Sequence, residues 1–306
     1  MNEMFDIPQR TFTEVEVKFF KMWWDRQDEP MKNMVRSFVE DGRLEFVNGG
    51  WSMHDEACPT FDDMINNHML GMDFLKREFG VKPTVGWQID PFGHSNANAR
   101  LFAEMGFDAV FFSRLDFMDK ERRLNSQEIE FVWRPFKESI GEPAEILGHV
   151  LYVSYSSPPG YDWDIIIDDT PWINDDSSET YNGPAEAQGL MEHLDERISH
   201  YKTNDLFVLL GDDFRYSNAH QNYINVDNMI DYMNAHHSDK YHFIYSTPSK
   251  YLAALKDKNV TWPTKDDDFF PYSDIPEAFW GGYYTSRPND KAAMRGASAK
   301  LHALNQ

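Results

Sequence analysis

Two rhythms of apolar residues alternate along the chain. Short β-rich runs, period-two or wholly apolar, are separated by longer stretches with apolar positions three and four apart. Residues 11–17 alternate and predict a strand. Residues 19–41 predict helix, broken near Glu29-Pro30 because proline cannot sit in a helix interior. Residues 44–47 predict a strand, and 61–79 a helix with apolar positions Met64, Met69, Met72, Phe74 and Leu75. Residues 83–89 predict a strand that Pro91 must stop, with Ser95 capping a helix to Met105. Residues 109–112, 206–210 and 243–245 predict further strands. Helices are predicted at 186–201, at a segment placing Tyr223, Val226, Ile230 and Met233 on one face, and after Thr247-Pro248. Residues 119–172 break the rhythm with short extended pieces (129–133 and 146–153) and a Pro/Gly/aromatic loop at 155–163. They predict an excursion over the rim of a site.

Strand–helix alternation indicates parallel strands with helical crossovers, an α/β fold. Two predicted strands end in an acid beside an aromatic. Residues 83–89 deliver Asp90, followed by Phe92; residues 206–210 deliver Asp212 and Asp213, followed by Phe214. The rim where strands end is where α/β barrels do chemistry. Two carboxylates facing one another there are what glycoside hydrolysis needs. Ordinary loop or capping acids are the plainer alternative for each aspartate alone.

Composition narrows the classes. The chain has 306 residues, 41% hydrophobic, so a sizeable core can form. A formal charge of −22 repels phosphate backbones and anionic membrane surfaces, which argues against nucleic acid. A single cysteine, Cys58, allows neither an internal disulfide nor a thiolate cluster. No apolar run reaches membrane-spanning length, and the first nine residues lack the apolar core of a signal peptide. Asp266-Asp267-Asp268 lacks the spaced ligands and glycine of an EF-hand loop. Asn259-Val260-Thr261 has the form of a glycosylation acceptor, a triplet common by chance.

Several segments resemble glycoside hydrolase family 38, the α-mannosidases, most closely the lysosomal type. They are FTEVEVKFFKMWW (12–24), GRLEFVNGGWSMHDEA (42–57), GWQIDPFGHS (86–95), FDAVFFSRLD (107–116), GDDFRY (211–216), YSTPSKY (245–251) and DDFFPYSDIPEAFWGGYYTSRP (267–288). They occur in the family's order and span nearly the whole chain. The resemblance implies a mostly parallel, seven-stranded β/α barrel-like domain over residues 1–287. Residues 288–306, basic and alanine-rich, would be the first helix of a three-helix-bundle-like domain. It implies retaining hydrolysis of α-linked mannose from N-glycans or oligosaccharides, assisted by zinc. Asp90 would be nucleophile and zinc ligand, and Asp213 the general acid/base, with its pKa raised by Asp212. In a retaining enzyme the two carboxyl groups stand about 5–5.5 Å apart. Phe92, Arg114, Tyr155 and Asp212 would be the substrate-binding residues beside the sugar, and a lysosomal or secretory location follows. No nucleic acid and no membrane span is expected.

The chain also departs from the family. The family's first strand, ending in a His-x-Asp motif with two zinc ligands, is expected to lie before Met1, and a later histidine ligand beyond Gln306. Asp90 is then the one family ligand present. Zinc sites use three or four protein ligands, so this chain alone is expected neither to hold zinc nor to turn over mannosides. His54, Asp55 and His94 are the first replacement ligands to consider; His237-Ser238-Asp239 is formally His-x-Asp but sits at a polar helix end. The alternatives to an enzyme are a zinc-less sugar-binding or interaction module, and a fragment without independent activity. A barrel lacking one strand would expose two edges and depend on that strand or on a partner chain.

Overall fold

The computed structural model describes residues 1–138 and 144–305. After a short helix α1 (Asn2–Phe5) come β1 (Phe12–Glu14), α2 (Val17–Trp24), α3 (Glu29–Glu40), β2 (Leu44–Phe46), α4 (Phe61–Phe79), β3 (Val85–Gln88), α5 (Asn96–Glu104), β4 (Ala109–Phe112), α6 (Phe117–Ser126), β5 (Glu130–Trp133) and β6 (Ile146–Val150). The second half holds α7 (Gly183–Ile198), α8 (Ala219–His236), α9 (Pro248–Lys256), β7 (Thr264–Lys265), β8 (Ser273–Ile275), β9 (Ala278–Phe279) and α10 (Pro288–Asn305).

The break expected near Pro30 is real. Asp28 accepts a hydrogen bond from the Met31 amide at 3.0 Å and starts α3 afresh, with Pro30 in its first turn. The central sheet has the order β3-β4-β6-β5-β7, and all its pairs are parallel except β5–β6. β1 and β2 form a separate parallel pair. The Asn48 amide donates to the Val85 carbonyl at 2.7 Å, which joins the end of β2 to β3. β4 shows why this sheet reads as a continuous apolar run: both faces are covered. Val110 and Phe112 pack with Phe102, Phe131 and Trp133 on one side. Ala109 and Phe111 pack with Trp87, Phe207 and Tyr251 on the other.

Three expectations need correction. Residues 129–133 and 146–153 are not a rim excursion; they supply β5 and β6 inside the central sheet. Residues 206–210 and 243–245 run extended with strand-like alternation but join no ladder. Leu206, Val208 and Leu210 face the α7–α8 layer while Phe207 and Leu209 face the sheet. The apolar pattern was sufficient to place these chains, but a strand also needs a neighbouring backbone. The seven-stranded barrel is accordingly not closed by ladders among the described residues. α4 forms as expected, and of its apolar positions Met69 is exposed, because five residues beyond Met64 a helix has turned by about 140°.

α4 packs unusually close to the loop after β2. A Cβ on Gly71 would stand 2.2 Å from the Gly49 carbonyl oxygen and 2.8 Å from the Gly50 carbonyl carbon, both backbone atoms that cannot swing aside. Gly71→Ala is therefore expected to destabilise the domain by about 1–3 kcal/mol in urea unfolding. Gly296 in α10 has open space, so Gly296→Ala should stabilise by about 0.5–1 kcal/mol. Equal effects of the two changes would show that the α4 contact is not tight.

Candidate active site

Asp90 stands two residues past β3, in a turn fixed from both sides. Gly93 adopts φ 94°, and a Cβ there would meet the Phe270 ring at 2.5 Å, so glycine is required on both counts. Ser95 then caps α5, its hydroxyl accepting from the Asn98 amide at 3.0 Å. Beneath the turn lies the carboxylate of Glu56. Its Oε1 accepts from Gln88 Nε2 at 3.1 Å and from His94 Nδ1 at 2.9 Å, and its Oε2 from the Ser95 amide at 2.7 Å. Asn48 extends this buried layer: its Oδ1 accepts from the Trp87 amide and its Nδ2 donates to Gln88 Oε1.

The Asp90 carboxylate itself is half exposed and asymmetric. Its Oδ1 accepts from Arg114 Nε at 2.8 Å, Arg114 Nη2 at 2.5 Å and the Tyr155 hydroxyl at 3.2 Å. No described residue bonds Oδ2. Arg114 comes from just after β4 and sits among aromatic rings. Its guanidinium carbon is 4.9 Å from the Phe92 centroid and 5.8 Å from those of Tyr155 and Tyr272. Burial alone would lower the Arg114 pKa; hydrogen bonds to Tyr272 and Asp90 and the Asp90 charge reverse this and raise it. Tyr155 is pushed up to about 12 by burial, then by the charges of Asp90 and Asp213.

Asp213 belongs to a loop with a different kind of support. Phe214 and Tyr216 both have left-handed backbone, φ 61° and 60°, uncommon for aromatic residues. The loop is held by neighbours from the 155–168 segment. Asp164 Oδ2 accepts from the Tyr216 amide at 2.7 Å, and Arg215 pairs with Asp162 at 2.8 Å. Asp212 Oδ1 accepts from the Asp213 amide at 2.7 Å. Burial, then the charges of Asp90 and Asp212, raise the Asp213 pKa, against the lowering influence of Arg114 and Arg215. Tyr155, Asp212 and Asp213 line a cavity of about 730 Å³ that runs back between residues 206–211 and 241–246. Asp90, Arg114 and Phe92 lie outside that lining and join it through Tyr155.

The residues present do not fit a zinc ion. Asp90 already shares Oδ1 with a guanidinium. Asp55 accepts from the Cys58 amide and the Tyr283 hydroxyl. His54 is buried with its Nε2 on Asn98 at 2.8 Å, and burial lowers its pKa. His94 is spent on Glu56. His237 is the C-cap of α8, far along the chain from any strand end. Among the described residues no three His, Cys, Asp or Glu side chains converge as a metal site.

Three contributors lie in segments of the family resemblance but are not singled out by the sequence. Tyr272 and Trp280, from the β8–β9 hairpin region, extend the aromatic wall beside Phe92, with ring centroids 6.1 and 4.8 Å from it. The aromatic density of residues 269–284 was the available signal. Glu56 lies in the resembling segment 42–57, but a loop glutamate has no period that would single it out.

The profile of the glycosyl hydrolases family 38 N-terminal domain matches residues 1–275. The chain is 40% identical to the lysosomal alpha-mannosidase of Dictyostelium discoideum over 98% of its length, covering 29% of that protein. It is 40% identical to the human lysosomal alpha-mannosidase over 98% of its length, covering 30% of that one. The chain thus spans less than a third of these curated relatives. A solved alpha-mannosidase from Enterococcus faecalis V583 shares the fold with a TM-score of 0.64 at 16% identity, over 87% of this chain and 27% of that one. Among the described residues no helix is long and apolar enough to cross a membrane. From the profile match over most of its length, this chain belongs to glycosyl hydrolase family 38, in that family's N-terminal domain.

Proposed function

We propose that the chain carries the carboxylate pair of an α-mannosidase-type glycoside hydrolase, acting with retention on α-linked mannose of N-glycans or oligosaccharides. The observation that carries this reading is the opposed electrostatics of the two acids. Asp90 is held beside a guanidinium with one oxygen unengaged, suited to attack an anomeric carbon through Oδ2. Asp213 is pushed up by burial and by Asp90, suited to keep a proton and give it to a leaving group. Phe92, Tyr272 and Trp280 offer ring faces for the sugar's C–H surface. The relatives' names point to a lysosomal or secretory location.

A second reading has its own support. Arg114 pairs with Asp90, and among the described residues no side chains assemble a metal site, which favours a sugar-binding module without turnover. Calorimetry with α-mannosides, run alongside aryl α-mannoside hydrolysis with and without added zinc, separates the two. Turnover abolished by Asp90→Asn supports the hydrolase; binding without turnover supports the module; neither would sink both.

In an active form of the domain, Asp213→Asn should lower kcat/KM on the order of 10²–10⁴-fold for alkyl mannosides, which need protonation to leave. Aryl mannosides with acidic phenol leaving groups should lose far less. An equal loss in both classes would shift the acid role to Asp212. The pH profile offers a separate check. Asp212 raises the Asp213 pKa, so Asp212→Asn should lower it, and the acid would then lose its proton sooner as pH rises. The basic limb of kcat/KM should move to lower pH; an unmoved or raised limb would reject this coupling.

A further inference from the structure

The Glu56 carboxylate is the strongest feature that the proposed chemistry leaves unused. It is almost wholly buried, it comes from an irregular loop between β2 and α4, and no lysine or arginine pairs with it. Three donors converge on it instead: Gln88 Nε2, His94 Nδ1 and the Ser95 amide. Gln88 is the last residue of β3, and His94 and Ser95 close the turn before α5. Every donor thus lies on one side or the other of Asp90-Pro91-Phe92-Gly93. One carboxylate therefore pins both ends of the four-residue segment that presents Asp90 and Phe92.

The chemistry demands a carboxylate. All three partners are donors, so the group between them must offer acceptors only. An ionised carboxylate does; an amide cannot, because in either orientation its NH₂ would face a donor. His94 must carry its proton on Nδ1 to serve, and its buried Nε2 has no described partner, so the ring works as a one-sided strut.

The geometry points to Glu56 as a positioning residue: through His94, Gln88 and the Ser95 amide it sets the angle at which Asp90 meets Arg114 and Tyr155. The assignment rests on the proposed role of Asp90 for its functional meaning, but its test does not need turnover. The Arg114 Nε–H donates to Asp90 Oδ1 at 2.8 Å and gives a resolvable ¹⁵N signal whose solvent exchange reports that bond.

The experiment uses the full 306-residue chain and four variants. Glu56→Gln keeps shape but turns a donor on donors. His94→Leu removes the strut's donor, whereas His94→Asn restores an N–H near the Nδ1 position. Gly183→Ala is the stability control: its Cβ would stand 2.5 Å from the Tyr232 ring, in the α7–α8 layer away from the turn. Exchange at Arg114 Nε is expected to quicken about tenfold or more in Glu56→Gln and His94→Leu, and to stay near the parent rate in His94→Asn and Gly183→Ala. Where the domain turns over, Glu56→Gln should lower kcat on the order of 10²-fold with KM little changed, as for a misplaced reacting group. Unchanged Arg114 exchange in Glu56→Gln would overturn the assignment. So would equal quickening in Gly183→Ala, which would mean general loosening. Absence of mannoside hydrolysis with the expected exchange pattern would defeat the functional reading and leave the positioning role standing. If neither Glu56→Gln nor His94→Leu folds while Gly183→Ala does, the His94→Asn chain decides: parent-like exchange supports the strut, and quickened exchange overturns it.

Discussion

The buried carboxylate of Glu56 is the interaction on which the candidate site depends. Taking an acid out of water is costly unless donors replace the lost solvent. Here strand end, turn and helix start each contribute one, so the desolvation cost is met only when all three are in register. The same carboxylate therefore couples the end of β3 to the start of α5. What looks like a loop glutamate is the keystone between a strand and the helix that follows it.

Above that layer, the charges are arranged in sequence from fixed to adjustable. Arg114 is held by rings on several sides and by Asp90 below, a geometry a lysine could not reproduce because the planar fork and the stacking would both be lost. Asp90 takes its orientation from that fork. Asp213 then takes its proton affinity partly from Asp90. Each group thus tunes the next, in the way perturbed pairs of titratable groups cluster at functional sites.

The legible parts of the molecule were those where a local rule acts alone. Pro91, Gly93 and Ser95 announce a strand stop, a left-handed turn and a helix cap within five residues, and each does that job. Asp90, Phe92, Arg114 and Tyr155, all named from the sequence, lie in contact. The misreadings arose where a partner outside the segment decides. Residues 206–210 have a strand's pattern but find no backbone to pair with, and residues 130–133 look like a stray extended piece until β6 is placed beside them. Glu56 and Trp280 lie in resembling segments, but their individual contribution is defined by three-dimensional neighbours.

The two acids also differ in what holds them up. Asp90 hangs from a strand, a helix cap and a buried carboxylate, whereas Asp213 rides on two left-handed aromatic residues kept in place by Asp162 and Asp164 of another loop. Backbone in such sparsely populated regions persists only while its surroundings insist on it. The order of failure follows. On warming or mild denaturation, the 213–216 loop would relax first, leaving Asp90 on intact scaffolding but without Asp213 in place. A domain so built would lose the pairing of its two acids before it unfolds, with the aromatic wall of Phe92, Tyr272 and Trp280 still standing.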